Sequence, residues 1–279
     1  MNDIAVRIVH NGPNVTYIAP NVWKFVLPSG WISQNDSIAL ESLFIYYSWK
    51  NITALKQNNS FSYIWTDGVN YPVVLADGIY QYSDINGYLE AVMETNGHYL
   101  VDSEGNNVYY LNLVANPVSY CVSFASIPVP SSLPTGYTNP SGMTLPVTPL
   151  TPQFVIADNK FATCLGFEHG TYPVAQQASL YQVNGTLVPQ LTDTPTIDVN
   201  CSVVGYHPFE VGNSIATFDT STVTSGSQIR VSPYNPYFRR VADTTHTSIT
   251  MTLTGTNNAT LPILDPIGTT FVLLIRKQR

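Results

Sequence analysis

Residues 37–49 read SIALESLFIYYSW, and this stretch has the alternation of a β-strand with one irregularity. Its apolar residues occupy even positions at Ile38 and Leu40 and odd positions from Leu43 onward. Successive side chains of a strand point to opposite faces, so a change of parity within one strand requires one extra residue. The stretch therefore predicts a strand with one buried face and a β-bulge near Glu41–Ser42.

Alternation of apolar and polar residues recurs along the chain and makes β-strands the dominant predicted element. Strands of this kind are predicted over residues 61–65, 118–124, 196–204 and 249–254. In the predicted strand 118–124, Val118 and Tyr120 are expected to share a face with Phe124. Residues 271–275 are continuously apolar, which is typical of a strand at the centre of a sheet.

One helix interrupts the strands. Apolar residues recur at i, i+3, i+4 and i+7 over residues 85–92, which is the spacing of a single helical face. Ser83 is predicted to cap the first turn, and Gly97 to end the helix in the left-handed conformation. A further helical turn is predicted over residues 158–165.

At least seven strands and one helix, joined by loops of unequal length, favour Greek-key connections. We therefore predict an all-β fold, a single jelly-roll β-sandwich of about eight strands with one short helix. Residues 1–36 are expected to form an N-terminal arm and residues 37–279 the jelly roll. Seven prolines between residues 125 and 152 predict a long excursion without ladder hydrogen bonds. Since the chain is long for a jelly roll alone, a loop-rich or β insertion is placed at about 177–248.

Charged residues are scarce, with 11 basic and 18 acidic side chains among 279. The hydrophobic content of 44% argues against disorder, and the net charge of −7 argues against a protein that coats nucleic acid. Three cysteines without a paired motif predict reduced, buried thiols and a cytoplasm-like compartment. We expect neither a signal peptide nor a membrane span, because the first ten residues are mixed and no apolar run is long enough.

The sequence carries no motif that indicates an enzyme. The five histidines lie far apart, and Glu168-His169 is the one adjacent acid–histidine pair. Asp219-Thr-Ser and Asp243-Thr-Thr resemble aspartic-protease motifs without their glycine, and we interpret them as β-turns. We predict no catalytic residue, no cofactor and no metal site.

Several segments in a fixed order carry a resemblance to a known family. They are FSYIW at 61–65, YPVVLADG at 71–78, YQYSDINGYL at 80–89, NGHYL at 96–100, YYLNL at 109–113, LGF at 165–167, GTYP at 170–173, LDP at 264–266 and FVLLIR at 271–276. This series resembles the penton, or minor capsid, proteins of mavirus-like virophages and of polinton-type elements.

The resemblance implies a structural protein of the virion, assembled in the host cytoplasm. It implies homopentamers that occupy the five-fold vertices of an icosahedral capsid, beside a major capsid protein with a double jelly roll. The family has no catalytic residues, so none is assigned. The alternative function is a viral fibre head or a lectin-like jelly roll that binds a glycan through surface aromatic residues.

The few charges are unevenly distributed along the chain. Residues 57–229 contain one basic and 13 acidic side chains, whereas residues 230–279 contain six basic and two acidic ones. We hypothesise that the six basic residues face inward, toward packaged DNA or acidic neighbours. The alternative is that they merely solvate the surface. The six are Arg230, Arg239, Arg240, Arg276, Lys277 and Arg279.

Overall fold

The computed structural model describes residues 3–191, 194–205, 212–220, 223, 226–255 and 258–277, and the chain forms two compact units. One unit, here called the terminal unit, combines Met1–Trp49 with Asp193–Arg279. The other is the continuous segment Lys50–Thr192, here called the inserted unit. Each unit has its own hydrophobic core.

Nineteen strands and two helices follow one another along the described residues. In chain order they are β1 (Asp3–Val9), β2 (Val15–Ala19), β3 (Val22–Ile32), β4 (Ser37–Tyr46), β5 (Ser60–Ile64), β6 (Asn70–Val74), α1 (Tyr82–Thr95), β7 (Leu100–Val101), β8 (Asn107–Val108), β9 (Leu111–Asn116), β10 (Cys121–Ser126), β11 (Gln153–Ile156), α2 (Asn159–Leu165), β12 (Gly170–Tyr172), β13 (Tyr181–Asn184), β14 (Thr196–Cys201), β15 (Ser214–Asp219), β16 (Gln228–Val231), β17 (Arg239–Arg240), β18 (Thr245–Thr254) and β19 (Thr270–Arg276).

The terminal unit is a sandwich of two antiparallel sheets. The first sheet has the strand order β1-β19-β4-β16, with β17 beside β4, and the second has the order β15-β14-β18-β3-β2. Without β2 and β17, eight strands remain, and their order in the two sheets is that of a jelly roll. The predicted all-β, jelly-roll fold class is confirmed. The total number of strands is larger than the predicted eight, because β2, β17 and the strands of the inserted unit are additional.

Alternating apolar residues from the two sheets form the core of the terminal unit. Ile197, Val199 and Cys201 on β14 are fully buried, as their alternation predicts. Trp23 of the second sheet and Phe271 of the first meet with their ring centroids 5.2 Å apart. The continuously apolar β19 lies between β1 and β4, in the central position that the sequence predicts.

The β-bulge predicted from the parity change in β4 is confirmed. Val272 is opposite Ser42 and the next residue, Leu273, is opposite Leu40, so Glu41 is the extra residue. The bulge turns the apolar residues on both sides of Glu41 toward the same core. The even-numbered Ile38 and Leu40 and the odd-numbered Leu43 and Ile45 of β4 are therefore all buried in one core.

The inserted unit contains three antiparallel sheets and both helices. The sheets have the orders β12-β11-β5-β6, β13-β10-β9 and β7-β8. Helix α1 packs beside β9 and buries one stripe, formed by Ile85, Leu89 and Met93. The stripe joins the aromatic core of this unit, in which the rings of Phe61 and Phe161 stack 4.9 Å apart.

Helix α1 begins two residues earlier than the sequence predicts. Its N-cap is Gln81, whose backbone N–H donates to the Asp84 carboxylate at 2.7 Å, so Ser83 is not the cap. The predicted end at Gly97 is confirmed, since this residue has a φ of 71°. Its N–H donates to Glu94 O, and the N–H of His98 donates to Met93 O, which together make a Schellman motif.

The turn between β9 and β10 differs from the prediction. Val118 is 90% exposed and Tyr120 is 79% exposed, so neither shares the buried face of Phe124. Strand β10 begins only at Cys121, because Pro117 and the positive φ of Tyr120, 48°, interrupt the extended chain.

The proline-rich stretch after β10 forms no regular strand until β11 begins. One isolated bridge, Val101–Thr138, pairs this stretch with β7, and a second, Val129–Leu150, joins two parts of the stretch itself. Prolines cannot donate to a ladder, which explains why the pairing stays isolated.

The boundaries of the two units differ from the expected ones. The segment 1–36 contains β1, β2 and β3, which belong to the two sheets of the sandwich rather than to an arm. The insertion lies between β4 and β14, and the range 177–248 instead contains the jelly-roll strands β14, β15 and β16 and the first four residues of β18. Hydrophobic alternation shows that a strand has a buried face, but it does not show which core covers that face.

Candidate assembly surface of the terminal unit

The structure shows how the residues considered for chemistry are used. Within the described ranges, no group of three or more His, Cys, Asp and Glu side chains is placed to hold a metal ion. Asp243 accepts hydrogen bonds from the Asn35 backbone and from Arg240, which hold the pKa of its carboxyl below the usual range. This arrangement is that of a turn residue. The absence of an enzymatic activity remains a prediction.

The three cysteines are buried and unpaired with one another. Cys201 is completely buried in the core of the terminal unit, and burial raises the pKa of its thiol to about 12. The thiol is therefore protonated and unreactive at neutral pH, as the sequence predicts for packing cysteines. No described helix is both long and apolar enough to span a membrane.

Five of the six basic residues considered as a cluster are described, and the sixth, Arg279, lies outside the described residues. Arg230 is on β16, Arg240 on β17 and Arg276 on β19, all in the first sheet. Arg240 and Arg276 are both opposite Ser37, so they flank it at one end of β4. Arg230 is opposite Phe44, at the other end of that strand. Lys277 directly follows β19.

Two of these arginines are neutralised by neighbouring aspartates. Arg276 makes two hydrogen bonds of 2.9 Å to the carboxylate of Asp3, which lower the pKa of Asp3. Arg240 contacts Asp243 at 2.6 Å. The structure therefore brings Arg240 and Arg276 together as paired charges, and not as a free basic patch.

Arg239 has a structural position that the sequence does not reveal. It is 5% exposed, and its guanidinium donates to the carbonyls of Ser214 at 2.6 Å and Gly212 at 3.2 Å. Its neighbour in register, Ile38, points into the core, so Arg239 faces the sandwich interior while Arg240 faces outward. Because Arg239 lies on a strand of the first sheet and Ser214 on β15 of the second, this side chain joins the two sheets.

Aromatic side chains complete the outward surface of the first sheet. The guanidinium of Arg276 lies 3.7 Å from the ring centroid of Phe238, and that of Arg230 lies 5.4 Å from the centroid of Phe44. The connection between β16 and β17 exposes Tyr234 to 97%. An arginine that stacks on an aromatic ring keeps its charge, and the planar contact orients its guanidinium.

The connection at 232–238 is the part of this surface that the sequence interpretation missed. Tyr234 and Tyr237 are 97% and 60% exposed, and each of them directly follows a proline. Two prolines restrict this short loop, so the tyrosines are presented with little loss of chain freedom on binding. The sequence signal was the pattern Pro-Tyr-Asn-Pro-Tyr at 233–237. We define the arginine–tyrosine surface as this loop, which includes Phe238, together with the outward side chains of the first sheet. Those side chains are Arg230, Arg240, Arg276 and Phe44.

A cleft of about 440 Å³ adjoins this surface at the edge of the sandwich. It lies where β15 and β16, the last strands of their sheets, leave the two layers open. Its lining includes the apolar residues Phe218 and Ile229 together with Arg230 and Pro233.

The chain matches known proteins in structure and not in sequence. No protein-family profile matches the chain, and no curated protein matches it. Among solved structures, the crystal structure of the selenomethionine-labelled mavirus penton protein matches with a TM-score of 0.51 and 11% identity, and the match covers 99% of each chain. The cryo-EM structure of the Sputnik virophage contains a chain with a TM-score of 0.40 and 10% identity, over 99% of this chain and 97% of that one.

The match to the mavirus protein includes both the terminal and the inserted unit, since it extends over 99% of the chain. The resemblance noted in the sequence is thus confirmed at the level of the fold. The chain has the same fold as the mavirus penton protein.

Proposed function

We propose that this protein is a minor capsid protein that forms pentamers at the five-fold vertices of an icosahedral virion. The observation that carries the proposal is the fold shared with the mavirus penton protein over 99% of both chains. A jelly roll alone is common to many proteins, so the inclusion of the inserted unit in the match gives the likeness its weight. The role is structural, without a catalytic step.

The arginine–tyrosine surface supports a role in subunit contacts. A closed ring of five uses heterologous contacts, so each subunit offers two different flanks. The cores of protein interfaces are enriched in tyrosine and arginine and depleted in lysine, glutamate and aspartate. The exposed tyrosines of the loop 232–238, the stacked arginines and the adjoining cleft fit one such flank.

The other partners follow from the same proposal. The pentamer would sit among trimers of a major capsid protein with a double jelly roll, in a virion that is assembled in the host cytoplasm. The low fraction of charged residues, 10%, is consistent with a chain that covers much of its surface with protein neighbours.

We also propose a narrower version of the inward-facing basic cluster. Arg239 is buried, and Arg240 and Arg276 are paired with aspartates, so these three contribute to folding. Arg230 belongs to the arginine–tyrosine surface, which is proposed for subunit contacts. Contact with packaged DNA would then rest on Lys277 and Arg279, the two basic residues that follow β19 in the sequence. Replacing both by glutamine should weaken binding of the assembled protein to duplex DNA at low salt and reduce the salt dependence. Equal binding by this double variant would refute the DNA contact.

Native mass spectrometry of the purified protein tests the pentamer. The expected species contains five copies of the 30.7-kDa chain. The double variant Tyr234→Ser/Tyr237→Ser should raise the concentration at which the pentamer dissociates by at least about tenfold, because buried tyrosines are frequent interface hot spots. Tyr120→Ser, which removes an exposed tyrosine of the inserted unit, is the matched control and should leave the pentamer unchanged. A protein that stays monomeric at all concentrations and is absent from virion vertices would refute the proposal.

A further inference from the structure

The exposed face of the sheet β13-β10-β9 in the inserted unit carries uncharged polar side chains in register. Ser123 on β10 is opposite Val114 on one side and Asn184 on the other. One pair further along, Ala125 is opposite Asn112 and Gln182. Paired residues of antiparallel strands point to the same face, so these side chains form two adjacent rows across three strands.

The rows line a shallow basin of about 370 Å³, here called the amide face. A second basin of about 400 Å³ lies on the other side of β9, against the first turn of α1, and shares Asn112 and Val114 with the first. The two basins therefore adjoin around β9. Among the described residues that line them, none is Asp, Glu, Lys, Arg or His.

One of the carboxamides is held by a neighbouring hydroxyl group. The hydroxyl of Ser123 donates to Oδ1 of Asn184 at 2.8 Å, and Asn184 lines the basin. Asn112 and Gln182 are exposed on either side of Ala125. A carboxamide offers two donors and an acceptor in one plane, so a set of three can bind neighbouring hydroxyl groups, each of which both donates and accepts.

One exposed apolar side chain lies within the basin, and an exposed tyrosine lies in the turn that precedes β10. Val114 is 51% exposed within the basin. Tyr120 is 79% exposed in the turn next to Cys121, which is opposite the basin residue Asn116. The φ of Tyr120 is 48°, a conformation that bulky residues rarely adopt and that is found more often at functional sites.

We propose that the amide face binds a neutral oligosaccharide. Hydroxyl groups of the sugar would bind the carboxamides, and its C–H face would lie on Val114, with Tyr120 at the rim. A lining without charged side chains provides no partner for a sialic acid, a sulfate or a phosphate, so the uncharged glycan is the ligand that fits. This site is separate from the arginine–tyrosine surface, so the inference goes beyond the capsid role.

A glycan array with neutral and acidic oligosaccharides tests the inference, followed by calorimetric titration with the neutral glycan that binds best. The double variant Asn112→Ala/Gln182→Ala should bind this glycan at least about tenfold more weakly, because each lost hydrogen bond reduces affinity several-fold. Both residues are exposed, and an unchanged melting temperature would show that the variant folds. If the double variant were unstable, Gln182→Ala alone should still weaken binding measurably.

Asn70→Ala is the matched control, since Asn70 is an exposed amide on β6 of the same unit and outside both basins. It should leave binding unchanged. The inference would be overturned by binding to sialylated or sulfated glycans only, by no binding at millimolar glycan, or by equal affinity of the double variant. A pentamer that binds no neutral glycan would overturn this inference and leave the capsid proposal standing.

Discussion

Acidification should selectively destabilise the inserted unit through His98, which is enclosed by aromatic residues. His98 is 6% exposed, and its ring stacks on Trp65 with a centroid distance of 4.2 Å. Its Nδ1 lies 2.9 Å from the hydroxyl of Tyr63, and that hydroxyl accepts a hydrogen bond from Asn96. The Tyr63 proton is therefore available to Nδ1, an arrangement that requires a neutral imidazole.

The expected loss of unfolding free energy can be calculated from the pKa of His98. Burial lowers this pKa from 6.5 to about 4, against a smaller opposing effect of the Asp67 carboxylate. Because the unfolded chain then binds the proton more readily than the folded one, the stability is complete above pH 6.5 and falls as the pH decreases toward 4. The difference between the pKa of 6.5 in the unfolded chain and about 4 in the folded one corresponds to a loss of about 3 kcal/mol of unfolding free energy at pH 4.

Urea unfolding of the protein and of His98→Gln, measured between pH 7 and pH 4, tests this reasoning. Glutamine can accept the hydrogen bond from Tyr63 and does not titrate, so its curve should lose about 3 kcal/mol less than the unmodified protein over this range. The fluorescence of Trp65, the single tryptophan between residues 50 and 192, can report the unfolding of this unit. His169→Gln, at an exposed position of the same unit, is the control and should follow the unmodified protein. Identical pH dependence of the His98→Gln variant, or an NMR titration of His98 at pH 6 or above, would refute the reasoning.

Three further substitutions should change the unfolding free energy in directions that urea denaturation can check. Arg239→Met should cost about 3 kcal/mol, because it leaves the carbonyls that bind the guanidinium without a donor; an unchanged midpoint would contradict the cross-sheet role. Gly166→Ala should cost at least about 2 kcal/mol, since a Cβ there would lie 2.3 Å from Leu187 O at a φ of 74°. Gly87→Ala in α1 should instead stabilise by about 0.5–1 kcal/mol, because its added Cβ meets no atom within 4 Å; destabilisation by this variant would contradict the helix geometry.

The sequence correctly predicts those features of the fold that depend only on residues close to one another in the chain. The bulge at Glu41 follows from the change of parity in one strand, and the end of α1 follows from Gly97. The N-cap was predicted wrongly because serine is a common N-cap residue and Ser83 lies near the start of the helix. The actual N-cap, Gln81, is not a residue type that N-caps favour, and its backbone N–H is bound by the Asp84 carboxylate.

The division into two units and the candidate surfaces depend on contacts between distant residues. Strands of both units alternate in the same way, so the sequence predicts the insertion after β12 instead of after β4. Arg239 and Arg240 are adjacent in sequence, yet register places one in the interior and the other outside. The amide face arises from β9, β10 and β13, and only their pairing shows that its carboxamides are neighbours.

The number of copies of this chain in a purified virion tests the central proposal most directly. Twelve vertices, each occupied by a pentamer, predict about sixty copies per particle, which quantitative mass spectrometry can count against the major capsid protein. A count near sixty, with density for this fold at the five-fold axes in cryo-EM, is the expected result. A count of several hundred copies, or none in the particle, would contradict the proposed role.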